Sequence, residues 1–304
     1  MSSFRIERRG PAFYLFLRRG EEWQHRGTYR TYEQAFAVRM NEAPLALPVS
    51  VKSSPRRDTP AARAGGFAPS RIPDCVLWLQ SGSIRGLDSG FSFGSWNDES
   101  NLHHAVTQSV EGQKPTFEAG LALRNGRPIV RFGADRHFIA ESVAALFTGS
   151  DRPLSAFQAF KPVVSAVQER ALWGFGNSAS SNPFAAFQWI GSPTFKWRYS
   201  RRDDGGTIAV PEAGTPNSNW HYASLIFDGA VASLWVDGVL TIDAQAADVG
   251  TMTLDRFTVG SLRTDVYSEA YGGDLGELAL MARAVDTRER LRMESWLRTR
   301  WGFA

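Results

Sequence analysis

Residues Ala230 to Asp243 read AVASLWVDGVLTID, and this stretch decides the fold. Two short runs flank Asp237-Gly238. In the first, Leu234 and Val236 fall on one face of an extended chain and Ser233 and Trp235 on the other, the period of two of a half-buried strand. An Asp-Gly pair takes the positive φ values of a type I′ turn, whose twist matches that of paired strands. A tight antiparallel hairpin is expected here, and the surroundings repeat the signal.

From Asp74 onward, runs such as DCVLWLQ, GRPIVRFG, LSAFQAF, ALWGFGN, FAAFQWIG, TFKWRYSRRD, WHYASLIFDG, LDRFTVGS and LGELALMA lie between Gly, Pro, Asn and Asp clusters. Many strands and few helices over residues 74–304 predict an antiparallel β-sandwich of jelly-roll type. The 28 glycines supply the turns, and a 43% hydrophobic chain with 20 Phe and 10 Trp supplies an aromatic core. One helix is expected at the end: Asp286 and Glu289 have capping-box spacing, and Met293, Leu297 and Trp301 share a stripe. It is expected to lie across the sandwich or seal a sheet edge.

The first 73 residues differ. Residues 1–42 read as a small module of three strands, FRIERRG, AFYLFLRRG and EEWQHRGTY, then a helix opening at Thr31 with Tyr32, Phe36 and Met40 on one face. So small a core suggests that the module docks on another surface. Residues 43–73, rich in Pro, Ala, Ser and Arg, read as an extended linker. Residues 1–73 hold 13 Arg/Lys against 6 Asp/Glu, a balance of +7 in a chain of net charge +3. Such an arm suits an acidic partner. Its aromatic-Arg interleaving has the shape of some nucleic-acid-binding arms, but no base-reading signature accompanies it, so nucleic acid is not an expected partner.

Other classes are disfavoured by composition. No run of eighteen apolar residues is present, so no membrane insertion is expected. The opening MSSFRIERRG has no apolar secretory core. Cys75 is the single cysteine, which excludes an internal disulfide and suggests folding in a reducing compartment.

Residues 220–302 hold Trp220, Phe227-Asp228-Gly229, Trp235-Val236-Asp237-Gly238, FTVGS, GDLGELAL and the closing DTRERLRMESWLRTRWG. In these motifs the stretch resembles the concanavalin A-like lectin/glucanase superfamily, in its laminin G-like and pentraxin-like branch. The front half fits the same branch through Trp96, Asp98, Ser100, Pro115, Arg131 and Phe132, with Asn101 where a Gly and Gly133 where an Asp is usual. The resemblance covers about three quarters of the chain and implies a fold more strongly than a function.

Glycosidases of that superfamily carry a Glu-x-Asp-x-x-Glu motif, absent here. Asp274 and Glu277 are expected on opposite faces of a strand, hydrogen-bonded to loop backbone. No catalytic residue is assigned, and the chain is expected not to be an enzyme. Calcium occurs among relatives, but only Asp203 and Asp204 offer a local oxygen cluster, better read as a hairpin tip. No cofactor or metal is expected. His103 and His104 point apart as strand neighbours.

For ligand binding, flat aromatic faces rimmed by planar polar groups suit sugars. Trp197, Tyr199, Arg201 and Arg202, with Arg198 between them, are one candidate set, and Trp96 with His103 and His104 is a second. The expected function is a non-enzymatic phage virion component: capsid decoration, head fibre or tail part. It would be made in the host cytoplasm, held by other virion proteins through residues 1–73 in a homo-oligomer or multicopy assembly, and displayed on the virion surface toward host polysaccharide. The alternative is an exported bacterial adhesin or carbohydrate-binding module working extracellularly, and a divergent glycanase is a third reading.

Overall fold

The computed structural model describes residues 4–9, 12–19, 22–29 and 67–303, apart from 121–123, 134, 165–169, 192–194 and 266–267. The chain divides into two units, residues 1–66 and 67–304.

In the first unit the three expected strands are Phe4–Arg9, Ala12–Arg19 and Glu22–Tyr29. They form an antiparallel meander, with Ile6 opposite Leu15 and Phe13 opposite Tyr29. The helix expected from Thr31 and the stretch 43–66 lie outside the described residues. The linker was expected to run to residue 73, yet residues 67–73 belong to the second unit. Ile72 is buried and Phe67 packs edge-on to Trp296, so two apolar anchors end the linker early.

The second unit is an antiparallel β-sandwich. One sheet runs in the order Val239–Ala246, Val231–Val236, His221–Phe227, Leu154–Pro162, Gly273–Met281, Ile129–Phe132 and Thr116–Glu118, with Cys75–Gln80 also paired to Gly273–Met281. The other runs Ile208–Ala209, Lys196–Arg202, Ser180–Ile190, Arg170–Asn177, Arg256–Val259, Phe138–Ala140, Val106–Thr107 and Ser95–Trp96, with Glu212–Ala213 beside Lys196–Arg202. The deciding hairpin is as read: Asp237 (φ 52°) and Gly238 (φ 79°) join Val231–Val236 to Val239–Ala246. Leu234 and Val236 are buried while Ser233 and Trp235 are half-exposed.

The core between the sheets is built by size complementarity. The second sheet contributes Trp173, Phe175, Phe187, Trp189, Trp197 and Tyr199. The first contributes smaller Ala156, Ala223, Ala232, Leu225 and Leu278, with Phe160 wedged edge-on between Phe187 and Trp197 at 5.7 Å from each. Burying each large side chain contributes about 1.5–3 kcal/mol.

The helix Thr287–Trp301 crosses the outer face of the first sheet. Its capping box is complete: the Glu289 amide donates to Asp286 Oδ1 at 2.8 Å and the Asp286 amide donates back to Glu289 Oε2 at 3.2 Å. Gly302 (φ 63°) ends it in the left-handed conformation. Met293, Leu297 and Trp301 face a second apolar cluster that includes Trp78, Phe157, Ala159, Tyr222 and Met281. Trp220 stacks on Trp301 at 5.8 Å.

Candidate functional site

The strand Lys196–Arg202 turns the expected ligand platform inward. Trp197, Tyr199 and Arg201 alternate onto the core face and are 2%, 0% and 0% exposed, so no sugar can lie on them. Burial pushes the Tyr199 phenol up to about 12. Arg201 is held inside by Asp151 Oδ1 at 2.7 Å and the Ala247 carbonyl at 2.6 Å, with its guanidinium 4.0 Å above the Phe227 ring. Arg202 alternates to the opposite face, away from the three residues it was grouped with.

Trp96 is likewise fully buried, and its indole N–H donates to the Gln80 carbonyl at 3.1 Å. His103 is exposed at positive φ (54°), with Nδ1 3.4 Å from the Asp98 carbonyl, while His104 Nδ1 meets Ser142 Oγ at 3.0 Å. They do not converge with Trp96 on a surface. The Trp96-x-Asp98-x-Ser100 element is a structural knot. Asp98 accepts from the amides of Trp78, Ser100 and His104 and from the Ser100 hydroxyl, all within 2.6–2.8 Å. Asp203 accepts from the Thr207 amide, and Asp204 from the amide and hydroxyl of Thr253. Both aspartates therefore fasten loops, and no cluster of three metal-ligating side chains occurs among the described residues.

Asp274 and Glu277 share one face, against expectation. A β-bulge at Gly276 shifts the register beside Ala159 and Phe160, so Leu275 and Leu278 both point to the core and the two carboxylates both point out. Their partners are side chains. Asp274 accepts from Arg131 Nε at 2.7 Å. Glu277, 1% exposed, accepts three indole N–H groups: Trp78 at 2.7 Å, Trp296 at 3.0 Å and Trp301 at 2.9 Å. Glu277 clasps the helix to the sheet, while Asp274 ties neighbouring strands of the sheet through Arg131.

The outer face of the second sheet gathers the polar groups best placed to meet a ligand. Register sets Ala171, Gln188, Arg198 and Glu212 in one row across four strands, and Gly174, Ala186 and Ser200 in the next. The second row is a floor of small residues. Leu262, from the hairpin Ser261–Arg263 and Ser268–Ala270, roofs the Gly174 end, where a Cβ would come within 2.8 Å of it. Both rows are buried from Ala171 and Gly174 as far as Gln188 and Ser200, and only at the far edge do the Arg198 and Glu212 side chains keep 17% and 35% exposure. Arg198 Nε and Nη2 donate to Glu212 Oε2 at 3.0 and 2.8 Å. Gln188, 2% exposed, donates through Nε2 to Glu269, and its buried Oε1 has no partner among the described residues. Gln188, Glu212 and Glu269 were not picked out from sequence. A signal was present for Gln188, the single polar residue in the run FAAFQWI.

No family model matches the chain, and no curated protein matches it. Solved structures do. The binding domain of Paraclostridial Mosquitocidal Protein 1 is 13% identical, matching 75% of this chain and 52% of that one with a TM-score of 0.51. The Ruminococcus gnavus IT-sialidase CBM40, solved with alpha2,3 sialyllactose, is 15% identical over 48% of this chain and 83% of that one, TM-score 0.40. The leech intramolecular trans-sialidase is 17% identical over 48% of this chain, TM-score 0.40. The match spans about a quarter (23%) of that sialidase and about half (52%) of the toxin domain. The toxin likeness is one of fold, and it agrees with the β-sandwich described above.

Proposed function

We propose that residues 67–304 form a non-catalytic carbohydrate-binding module of concanavalin A-like type that reads its ligand on the outer row of the second sheet. The observation that carries this is the edge of the row: the partly exposed Arg198 guanidinium and Glu212 carboxylate on rigid strands, beside the buried Gln188, whose Oε1 has no partner among the described residues. Adjacent sugar hydroxyls each donate and accept, and planar polar groups fixed at strand spacing meet them without first having to be ordered. Arg198 would donate, Glu212 would accept, and Gln188 Oε1 would gain the donor it lacks.

The fold's likeness to a toxin's binding domain favours this reading over a virion component. The test is a glycan array with the full chain, followed by calorimetric titration of the best hit. Arg198→Ala and Gln188→Ala should each weaken binding at least tenfold while the melting temperature of Arg198→Ala stays within a few degrees. Binding untouched by either substitution, or no glycan bound, overturns the proposal.

A further inference from the structure

We infer that the solvent side of the helix Thr287–Trp301 is a docking surface for an acidic amphipathic segment of a partner protein. This face lies on the opposite side of the sandwich from the carbohydrate row and does not depend on that reading. A groove of about 730 Å³ runs along it, floored by Phe67, Leu291 and Trp296 and flanked by Arg288, Arg292 and Thr299. Leu291 is 52% exposed, although the same helix buries Met293, Leu297 and Trp301 below it. Beside its buried stripe the helix thus keeps one exposed leucine, next to Trp296, which packs against the sandwich.

The floor is rigid. The Trp296 indole is tied to Glu277 Oε1 at 3.0 Å, Phe67 stands edge-on to Trp296 at 6.0 Å, and Arg292 lies 4.9 Å over the Phe67 ring. A partner would meet preformed aromatic surface, which lowers the ordering cost of binding.

Charge selects the occupant. No carboxylate lines the groove. The helix's acids are committed elsewhere: Glu289 to Arg283 and Glu294 to Arg290, each at 2.6 Å. Arg288 and Arg292, one turn apart, thus present positive charge beside apolar surface, and neither forms an ion pair among the described residues. A second copy would bring these arginines against their own equivalents. The sequence leading into Phe67, residues 43–66, has the same sign, with Lys52, Arg56, Arg57 and Arg63 against Asp58. A helix with Leu or Phe at i, i+4 and i+7 and carboxylates on its flanks complements both features.

The experiment is fluorescence anisotropy with the full-length chain and labelled fifteen-residue peptides that place Leu and Phe at that spacing between glutamates. A Lys-for-Glu version serves as control. The acidic peptide should bind, more tightly at low salt, and the basic one should not. Leu291→Asp and the double change Arg288→Glu with Arg292→Glu should each weaken binding at least tenfold with an unchanged melting temperature. The double variant should instead take the basic peptide. Three outcomes overturn the inference: no peptide bound, binding indifferent to these changes, or equal binding of both peptides. Two further outcomes also overturn it: phosphatidylserine vesicles bound through these residues in place of peptide, and self-association abolished by Leu291→Asp.

Discussion

Arg201 donates to Asp151 across 2.7 Å inside the sandwich, and the arginine has no exposed surface. A buried cation whose partner is removed stays in a medium that solvates it poorly. Asp151→Ala should therefore cost about 3–5 kcal/mol, while Arg201→Met, which removes the charge and keeps the volume, should cost clearly less. Urea unfolding of the two variants measures the difference. Equal losses would show that the pair is held by packing alone.

The same carboxylate makes stability depend on acid. Burial raises the Asp151 pKa, but the amides of Val249 and Gly250 and the Arg201 guanidinium outweigh it, so the folded value lies below the ordinary carboxylate value. A depressed folded value contributes stability that is complete above the unfolded pKa of about 3.9 and is lost as pH falls through the folded value. The stability gap between wild type and Asp151→Asn should be constant from pH 7 to 5 and shrink below about pH 4. Urea midpoints over that range test the sign, and a gap that widens in acid refutes it.

Gly276 is where the helix meets the sheet, since a Cβ there would collide with the Trp301 ring. Gly276→Ala should be destabilising in the wild type and nearly neutral in a Trp301→Ala background, where the collision disappears. A double-mutant cycle by thermal unfolding reads the coupling directly, and additive losses would place the strain elsewhere.

Glu277 gathers the indoles of Trp78, Trp296 and Trp301. Glu277→Leu leaves these donors without their acceptor, two of them buried, and should cost about 3–5 kcal/mol. Glu277→Gln, which keeps one acceptor oxygen, should cost less. Intrinsic fluorescence should shift in both variants, because three of the ten tryptophans report on this site.

At the hairpin, Asp237 and Gly238 sit at positive φ, and a Cβ at 238 would also come 2.8 Å from the Tyr222 hydroxyl. Asp237 also accepts from His221 Nδ1 at 2.6 Å. Replacing both residues by alanine should cost about 1–2 kcal/mol per residue in backbone strain alone. An unchanged melting temperature would contradict the turn.

Local patterns made much of the fold legible. The Asp237-Gly238 turn, the Asp286/Glu289 capping box and the stripe of Met293, Leu297 and Trp301 depend on residues within one or two turns of each other, and all three are present. The candidate site was harder to read. Period two assigned Trp197, Tyr199 and Arg201 to one face of their strand, but period alone does not say which face meets solvent. The sequence left the strand open to core packing or to a ligand platform. The partner of Arg201, Asp151, lies fifty residues away. Likewise, Gly276 inside its strand run is a local bulge signal, but that its missing Cβ leaves room for the Trp301 ring depends on a helix that comes later in the chain. The row of Gln188, Arg198 and Glu212 exists only through strand register, a property of three separate segments.

Phe67, where the sandwich unit begins, packs against Trp296 of the closing helix, so entry point and helix share one side. The Gln188–Arg198–Glu212 row occupies the reverse side. A domain wired in this manner can be moored from behind while its reverse face stays clear, so under the proposed function a tag, bead or surface linker fused ahead of residue 67 should leave that face undisturbed.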